Sequence, residues 1–209
     1  MDRSERFWNK RAKDFDKRDN PNSAIRKEKY EKIRNHLKPT AIVLDFGCAT
    51  GSLSRELAQD VQHVDGLDIS SKMIEIAKQK ANTSCIENVS YFHDNLVENK
   101  LLERKYDVVL AFYVLHLVEH PTQTLNAIND ILKPGGLLIT ESPCLATTNR
   151  IWTGLLKGFT KLAGLPYLHK FSANTLQEMF VEQGFEIIEH ETTNGSTVAV
   201  FSILKKGDN

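Results

Sequence analysis

Beyond residue 39, short apolar runs alternate with longer segments in which apolar residues recur every three or four positions. The longer segments have the spacing of amphipathic helices, and the short runs, rich in branched residues, are typical of strands covered on both faces. Strand and helix in alternation indicate βαβ units, a parallel sheet and right-handed crossovers. The predicted strands lie at 41–46, 63–69, 88–92, 106–112 and 136–141, and the predicted helices lie at 51–60, 71–82 and 122–132.

The two ends of the chain follow other patterns. Residues 1–38 are strongly charged, with widely spaced apolar positions that predict one or two amphipathic helices. Helical spacing returns at 147–163 and at 173–183, where Ser172 is placed to cap the second of these helices. Two final strand runs, 185–191 and 196–204, flank the turn signal Asn194-Gly195 and are expected to pair as antiparallel neighbours.

One α/β domain accounts for all of these segments. In chain order we expect four parts, which are an N-terminal helical cap at 1–38, a strand-and-helix core at 41–142, a helical insertion at 144–171, and a helix with a strand pair at 172–209. The Lys133-Pro134-Gly135-Gly136 segment is expected to be a turn that ends one helix and begins the fifth strand.

Composition narrows the possible partners. The 209 residues include 27 Lys and Arg and 27 Asp and Glu, so the formal charge is zero and no general attraction to nucleic acid is expected. No apolar run approaches the ~20 residues that span a bilayer, and the N-terminus lacks the apolar core of a signal peptide. Cys48, Cys85 and Cys144 form no C-x-x-C pair, so we expect no metal site, no disulfide framework and a cytoplasmic location.

A glycine-bearing turn after the first strand is the main candidate for chemistry, because ligands bind beyond the carboxyl ends of parallel strands. The turn reads Asp45-Phe46-Gly47-Cys48-Ala49-Thr50-Gly51. It lacks the lysine of a P-loop, and Ala49 and Ser52 stand where a dinucleotide fingerprint has glycine. Asp45 would repel a pyrophosphate and attract a cationic nucleoside.

The spacing Asp45-x-Gly47-x-Ala49-x-Gly51 resembles the first motif of class I S-adenosylmethionine-dependent methyltransferases of the small-molecule type, with Ala49 in place of the middle glycine. Later segments resemble further motifs of that family in the same order, at 66–70, 92–96, 106–116 and 132–136. The resemblance implies a Rossmann-like three-layer sandwich with a mostly parallel seven-stranded sheet and an antiparallel C-terminal hairpin strand. It also implies S-adenosyl-L-methionine as the cofactor and in-line methyl transfer to a small-molecule acceptor.

The resemblance also implies where the cofactor is held. Asp68, at the end of the second strand, would accept both ribose hydroxyls, whereas the neighbouring Asp65 falls inside the strand run. Asp94 would accept a hydrogen bond from the adenine amine. The implied cofactor contacts are Trp8, Asp45, Gly47, Cys48, Ala49, Gly51, Asp68, Ile69, Met73, Asp94, Asn95, Leu96, Ala111 and Phe112.

Several questions stay open at this stage. No catalytic base is evident, and His116 and His169 are candidates for which a structural role is the alternative. The 147–163 helix is expected to cover the acceptor pocket, with simple packing or a partner or membrane-surface contact as alternatives. A nicotinamide-dependent oxidoreductase and a non-catalytic S-adenosylmethionine-binding protein are the alternative functions. The acceptor and the choice between monomer and homodimer are left open.

Overall fold

The structure is a computed structural model that describes residues 3–18, 24–96, 103–145, 167–193 and 198–207. The predicted helix at 147–163 and the Asn194-Gly195 turn lie outside the described residues.

Strands and helices alternate through the core as the sequence pattern predicts. The strands are β1 Ile42–Phe46, β2 His63–Asp68, β3 Val89–His93, β4 Tyr106–Phe112, β5 Leu132–Pro143, β6 Phe185–Thr193 and β7 Ala199–Lys206. The helices are α1 Arg3–Asn9, a 3-10 helix Ala12–Arg18, α2 Ala24–Arg34, α3 Ser52–Leu57, α4 Ser71–Thr83, α5 Pro121–Ile131 and α6 Ala173–Glu182. Ser172 caps α6 as predicted, since its side chain accepts a hydrogen bond from the Thr175 N–H.

The seven strands form one sheet in the order β3-β2-β1-β4-β5-β7-β6. Strands β1 to β5 pair in parallel, whereas β7 is antiparallel to both β5 and β6. This confirms the predicted mostly parallel sheet with one antiparallel strand from the C-terminal pair. The strand order reverses between β1 and β4, and such a switch point is where open parallel sheets bind ligands.

The hydrophobic core lies on both faces of the sheet, because successive strand residues point to opposite sides. Leu44 packs into a cluster that includes Phe180 of α6. The preceding residue, Val43, packs into a second cluster with Ile33 of α2 and Leu57 of α3. Helices therefore cover both faces, which gives the predicted three-layer sandwich.

The fold differs from the sequence expectation mainly at the start of the fifth strand and in the N-terminal segment. The fifth strand begins at Leu132, because that residue already pairs with Tyr106 before the register shifts and Leu137 pairs with Val108. The expected turn at 133–136 is thus an irregularity within β5. At the N-terminus, the described residues form two α-helices and a 3-10 helix, whereas the sequence predicted one or two helices.

Candidate functional site

A cavity of about 380 Å³ lies beyond the carboxyl ends of β1, β2, β3 and β4. This volume is in the range of small-molecule sites, about 300–1000 Å³. Its wall combines the residues that follow these strands with Trp8 of α1, Phe15 of the 3-10 helix, the start of α5, and Tyr167. We call these lining residues the cavity wall.

The turn after β1 has an unusual backbone that explains its glycines. Gly47, Ala49 and Gly51 all have positive φ, at 76°, 47° and 70°. A Cβ at Gly47 would lie 2.7 Å from Val114 Cγ2, and one at Gly51 would lie 2.3 Å from the Tyr91 hydroxyl oxygen. Glycine is therefore required at both positions by φ and by space, whereas Ala49 bears the strain of a left-handed residue with a side chain.

The Asp68 carboxylate is held by two backbone N–H groups. Ala49 N–H donates to Asp68 Oδ2 at 2.9 Å, and Ser70 N–H donates to Oδ1 at 2.8 Å. Burial raises the pKa of Asp68, and the two N–H donors oppose that shift. Asp68 is part of the cavity wall, and each carboxylate oxygen has a further lone pair for a ligand hydroxyl.

The structure brings together in the cavity wall nine of the residues implied by the sequence. Asp94 and Asn95 follow β3, and their turn is closed by a 2.7 Å hydrogen bond from the Asn95 N–H to Asp94 Oδ1. Asp94 N–H donates in turn to the Asp68 carbonyl oxygen at 3.2 Å, so the ends of β2 and β3 are joined. The nine residues are Trp8, Gly47, Ala49, Asp68, Ile69, Met73, Asp94, Asn95 and Phe112.

The other five implied contacts lie outside the cavity wall. Asp45 is buried and accepts a hydrogen bond from Ser54 Oγ at 2.5 Å, and burial raises its pKa to about 6. The Ala111 carbonyl, expected near the ligand amino group, accepts from Thr140 Oγ1 at 2.7 Å. Cys48 and Leu96 are buried in the core, and Gly51 packs under Tyr91. These five residues pack beneath the turns and strand ends that form the cavity wall.

Neither histidine candidate is part of the cavity wall. His116 is buried, burial lowers its pKa to about 4, and its Nδ1 has no hydrogen-bond partner among the described residues. His169 joins two chain segments, because its backbone N–H donates to the His116 carbonyl at 2.8 Å and its ring Nε2 donates to the Val118 carbonyl at 2.9 Å. Since Val118 and Tyr167 both line the cavity, His169 positions the wall.

Asp65, the alternative to Asp68, belongs to a separate buried cluster. Its carboxylate accepts a hydrogen bond from the Tyr106 hydroxyl at 2.9 Å and pairs with Arg104 at 2.7 Å. His63 Nε2 lies 3.1 Å from its other oxygen. These partners occupy Asp65 away from the cavity, whose wall does not include it.

Side chains from the N-terminal segment fasten it over the site. Asn9 Oδ1 accepts hydrogen bonds from Ser70 Oγ at 2.7 Å and from the Lys72 N–H at 3.1 Å, both at the start of α4. In the 3-10 helix, Asp16 accepts a hydrogen bond from Thr50 of the glycine turn. The segment that contains Trp8 is therefore tied directly to the turns that surround the cavity.

Sequence reasoning missed twelve residues of the cavity wall, eight of them in the segment 113–124 that follows β4. The missed residues are Ser4, Phe15, Phe46, Tyr113, Val114, Leu117, Val118, Glu119, His120, Gln123, Thr124 and Tyr167. Those at 113–120 directly follow a predicted strand, so the rule that selected Asp68 and Asp94 could have selected them too. Nothing in the local pattern marks Ser4, Phe15 or Tyr167.

Two features are absent from the described part of the chain. There, no group of three or more His, Cys, Asp or Glu side chains is arranged to hold a metal ion. None of the helices described is both long enough and apolar enough to cross a bilayer.

The family of the chain follows from its similarity to known proteins. The profile of a family described as "Methyltransferase domain" matches residues 17–190, which is most of the sequence. The chain belongs to this family. Membership confirms the predicted enzyme class, an S-adenosylmethionine-dependent methyltransferase, together with its cofactor. It also decides against the nicotinamide-dependent alternative.

Two curated relatives show how far this similarity extends. The methyltransferase is 33% identical over 114 residues to the malonyl-[acyl-carrier protein] O-methyltransferase of Halalkalibacterium halodurans, a match that covers 52% of this chain and 41% of that relative. It is 26% identical to the demethylmenaquinone methyltransferase of Listeria monocytogenes, and this match covers 78% of each protein. The chain thus spans less than half the length of the first relative and most of the second.

Solved structures support the fold. The N-methyltransferase NodS from Bradyrhizobium japonicum superposes with a TM-score of 0.76 at 17% identity, covering 98% of this chain and 99% of that one. The magnesium protoporphyrin IX methyltransferase from Synechocystis gives 0.75 at 20% identity, covering 99% and 100%. The [4+2]-cyclase SpnF also gives 0.75, at 16% identity, covering 92% and 86%. Since a cyclase shares the fold, the fold alone does not fix the reaction.

Proposed function

We propose that the methyltransferase holds S-adenosylmethionine across the ends of β1, β2 and β3 and transfers its methyl group to a small molecule bound on the β4 side of the cavity. The two N–H groups that orient the Asp68 carboxylate carry this proposal. They leave both carboxylate oxygens able to accept from a pair of neighbouring hydroxyls, as a ribose presents. Ile69 and Met73 supply apolar surface for the attached base.

The charge of the cavity wall fits a cationic cofactor better than a phosphate-bearing one. Asp68, Asp94 and Glu119 contribute carboxylates, and the described residues of the wall include no lysine or arginine. A pyrophosphate would face these carboxylates with no lysine or arginine of the described wall to compensate. A sulfonium and an ammonium would be attracted instead. This supports methyl transfer over the nicotinamide chemistry considered from the sequence.

The residues of the chain have three tasks in the reaction. S-adenosylmethionine, when bound, supplies a methyl group already activated by its sulfonium, so the protein chiefly aligns the acceptor with it and excludes water. Asp68 and the glycine turn bind and orient, and Trp8 covers the cavity from the N-terminal segment. His120 can hold a proton from an acceptor, since it lies in the cavity wall with its Nε2 3.9 Å from Glu119 Oε1.

We propose that the acceptor is a small molecule, without naming which one. The two relatives are named for acceptors of different chemistry, a carrier-bound malonyl group and a demethylated quinone. Their names therefore support a metabolic acceptor without selecting the attacking atom. The zero net charge supports an acceptor other than nucleic acid, and a content of only three cysteines in 209 residues supports a reducing, cytoplasmic setting.

The experiment that tests the proposal follows the methyl group. The protein is incubated with methyl-labelled S-adenosylmethionine and fractions of small metabolites, and S-adenosylhomocysteine is measured together with the labelled product. We expect S-adenosylhomocysteine to form in step with one labelled small molecule, and Asp68→Ala to suppress both. Cofactor binding without turnover on any fraction would favour the non-catalytic alternative.

A further inference from the structure

Tyr113, the first residue after β4, has a conformation that calls for an explanation. Its φ is +53°, in the left-handed region that a bulky side chain rarely adopts. Its side chain lies in the cavity wall, and the residue is 46% exposed although it is large and aromatic. Backbone strain of this kind concentrates at functional sites, where the surrounding structure enforces it.

The backbone of Glu141 holds the conformation of Tyr113, and an ion pair of the Glu141 side chain lies beside the Tyr113 ring. The Tyr113 N–H donates to the Glu141 carbonyl at 2.8 Å, and the Glu141 side chain is 3% exposed. That carboxylate pairs with Lys29 of α2, whose ammonium lies 5.2 Å from the centre of the Tyr113 ring and 5.8 Å from that of Phe112. Because the ammonium lies within about 6 Å of both ring centres, a cation–π contact can hold the Tyr113 ring in place.

Tyr113 is separated from the two carboxylates that we propose hold the cofactor, although its neighbour Phe112 is an implied cofactor contact. Asp68 and Asp94 follow β2 and β3, whereas Tyr113 follows β4, on the other side of the switch point. Trp8 and Tyr167 add two more aromatic side chains to the same wall. Aromatic faces stack on flat rings, so the exposed Tyr113 ring can contact an acceptor ring from the β4 side of the cavity.

The charges of the cavity wall and of the cofactor favour some flat acceptors over others. An anionic acceptor would meet Glu119 on the β4 side of the cavity, and the nearby Lys29 is already paired with Glu141. A cationic acceptor would be repelled by the sulfonium of the cofactor at the distance that methyl transfer needs. A molecule without charge avoids both penalties.

We propose that Tyr113 contacts the methyl acceptor, that Glu141 and Lys29 are its positioning residues, and that the acceptor is an uncharged molecule with a flat ring. The inference rests on the proposed function, since it assumes that the cofactor occupies the Asp68 side of the cavity. It assigns roles to three residues that lie outside the glycine turn and the Asp68 site.

The test uses three probes with one ring system and different charge. Protein saturated with sinefungin, an unreactive cofactor analogue that carries an ammonium where S-adenosylmethionine has its sulfonium, is titrated calorimetrically with 2-naphthol, with 2-naphthoate and with 2-naphthylmethylammonium. We expect 2-naphthol to bind about ten-fold more tightly than either charged probe, a difference of roughly 1.4 kcal/mol. Equal or tighter binding of a charged probe would overturn the assignment of an uncharged acceptor.

Variants test the residue roles with the same probe. Tyr113→Ala should weaken 2-naphthol binding by about ten-fold or more, and Tyr113→Phe, which keeps the ring, by no more than about three-fold. Glu141→Gln should give an intermediate loss, with Lys29→Met as the substitute if the first variant does not fold. Ile188→Ala removes an exposed apolar side chain from β6 and should change nothing.

Affinity for S-adenosylhomocysteine distinguishes a failure of the acceptor proposal from a failure of the proposed cofactor site. It should be unchanged in the Tyr113, Glu141 and Lys29 variants. Unaltered 2-naphthol binding in Tyr113→Ala overturns the acceptor contact, and unaltered binding in both positioning variants overturns the role of the ion pair. A folded wild-type protein that binds no S-adenosylhomocysteine would refute the proposed function itself.

Discussion

The backbone N–H of Ala49 donates a 2.9 Å hydrogen bond to Oδ2 of Asp68. The bond joins the left-handed residue of the glycine turn to the carboxylate at the end of the neighbouring strand. Gly47 strengthens the same junction, because its N–H donates to the Leu67 carbonyl at 2.8 Å. The glycine turn and the carboxylate that we propose binds ribose are thus joined by hydrogen bonds. A substitution in either should therefore change the position of the other.

Substitution of Asp68 should weaken cofactor binding while the fold persists. Asp68→Ala leaves the Ala49 and Ser70 N–H groups without their acceptor and removes the proposed ribose contact, a loss of about 1–3 kcal/mol, or roughly 5- to 150-fold in affinity. Calorimetric titration with S-adenosylhomocysteine measures it. The matched control is Asp65→Asn in the same strand, which should lower thermal stability through its buried partners and leave the affinity of the folded protein unchanged.

Relief of the strain at Ala49 should stabilise the protein. A non-glycine residue at φ 47° costs about 1–2 kcal/mol, so we expect Ala49→Gly to raise the free energy of unfolding by about 0.5–1 kcal/mol after the entropy of the added glycine is counted. Urea denaturation measures the change. As a control, Ala58→Gly places glycine where φ is −55°, and this variant should be less stable than wild type. Destabilisation by Ala49→Gly would contradict the strain at this turn.

The sheet was predictable because its signals are local. Runs of branched apolar residues mark β1 to β4, and Ser172 marks the start of α6. The early start of β5 was not predictable, since Leu132 joins the sheet through pairing with Tyr106, a contact between distant parts of the chain. The three N-terminal helices were also unclear, because their apolar positions are few and widely spaced.

The cavity wall was predictable where a side chain lies at the end of its own strand, as Asp68 does. It was not predictable where distant residues decide the environment. Ser54 engages the Asp45 carboxylate, so the acidic residue of the first motif faces away from the cavity wall. Tyr113 depends on Glu141 and Lys29, which no local pattern connects to it.

Asp45 should make the protein less stable as pH rises. Burial raises its pKa in the folded state from 3.8 to about 6, so the folded protein binds more protons than the unfolded chain between these values. Stability is therefore lost as pH rises through this interval, by about 3 kcal/mol in total. Asp45→Asn should be more stable than wild type near pH 8 and similar to it near pH 4, as measured by urea denaturation. If Asp45→Asn were more stable than wild type by the same amount at every pH, that result would contradict the raised pKa of Asp45.

His116 should have the opposite dependence. Burial lowers its pKa in the folded state from 6.5 to about 4, so the unfolded chain binds the extra proton. The stability associated with neutral His116 is present above pH 6.5 and is lost as pH falls towards 4, again by about 3 kcal/mol. His116→Phe should remove this acid-induced loss. Relative to wild type, Asp45→Asn should make the slope of stability against pH more positive between about pH 4 and 6, and His116→Phe should make it more negative.

The proposed site is tested most directly by calorimetric titration of the folded protein with S-adenosylhomocysteine and, separately, with NADPH. The acidic wall around Asp68 predicts saturable binding of S-adenosylhomocysteine at one site per chain, lost in large part in Asp68→Ala, and no heat from the pyrophosphate-bearing dinucleotide. Saturable binding of NADPH by a protein that gives no heat with S-adenosylhomocysteine would contradict it.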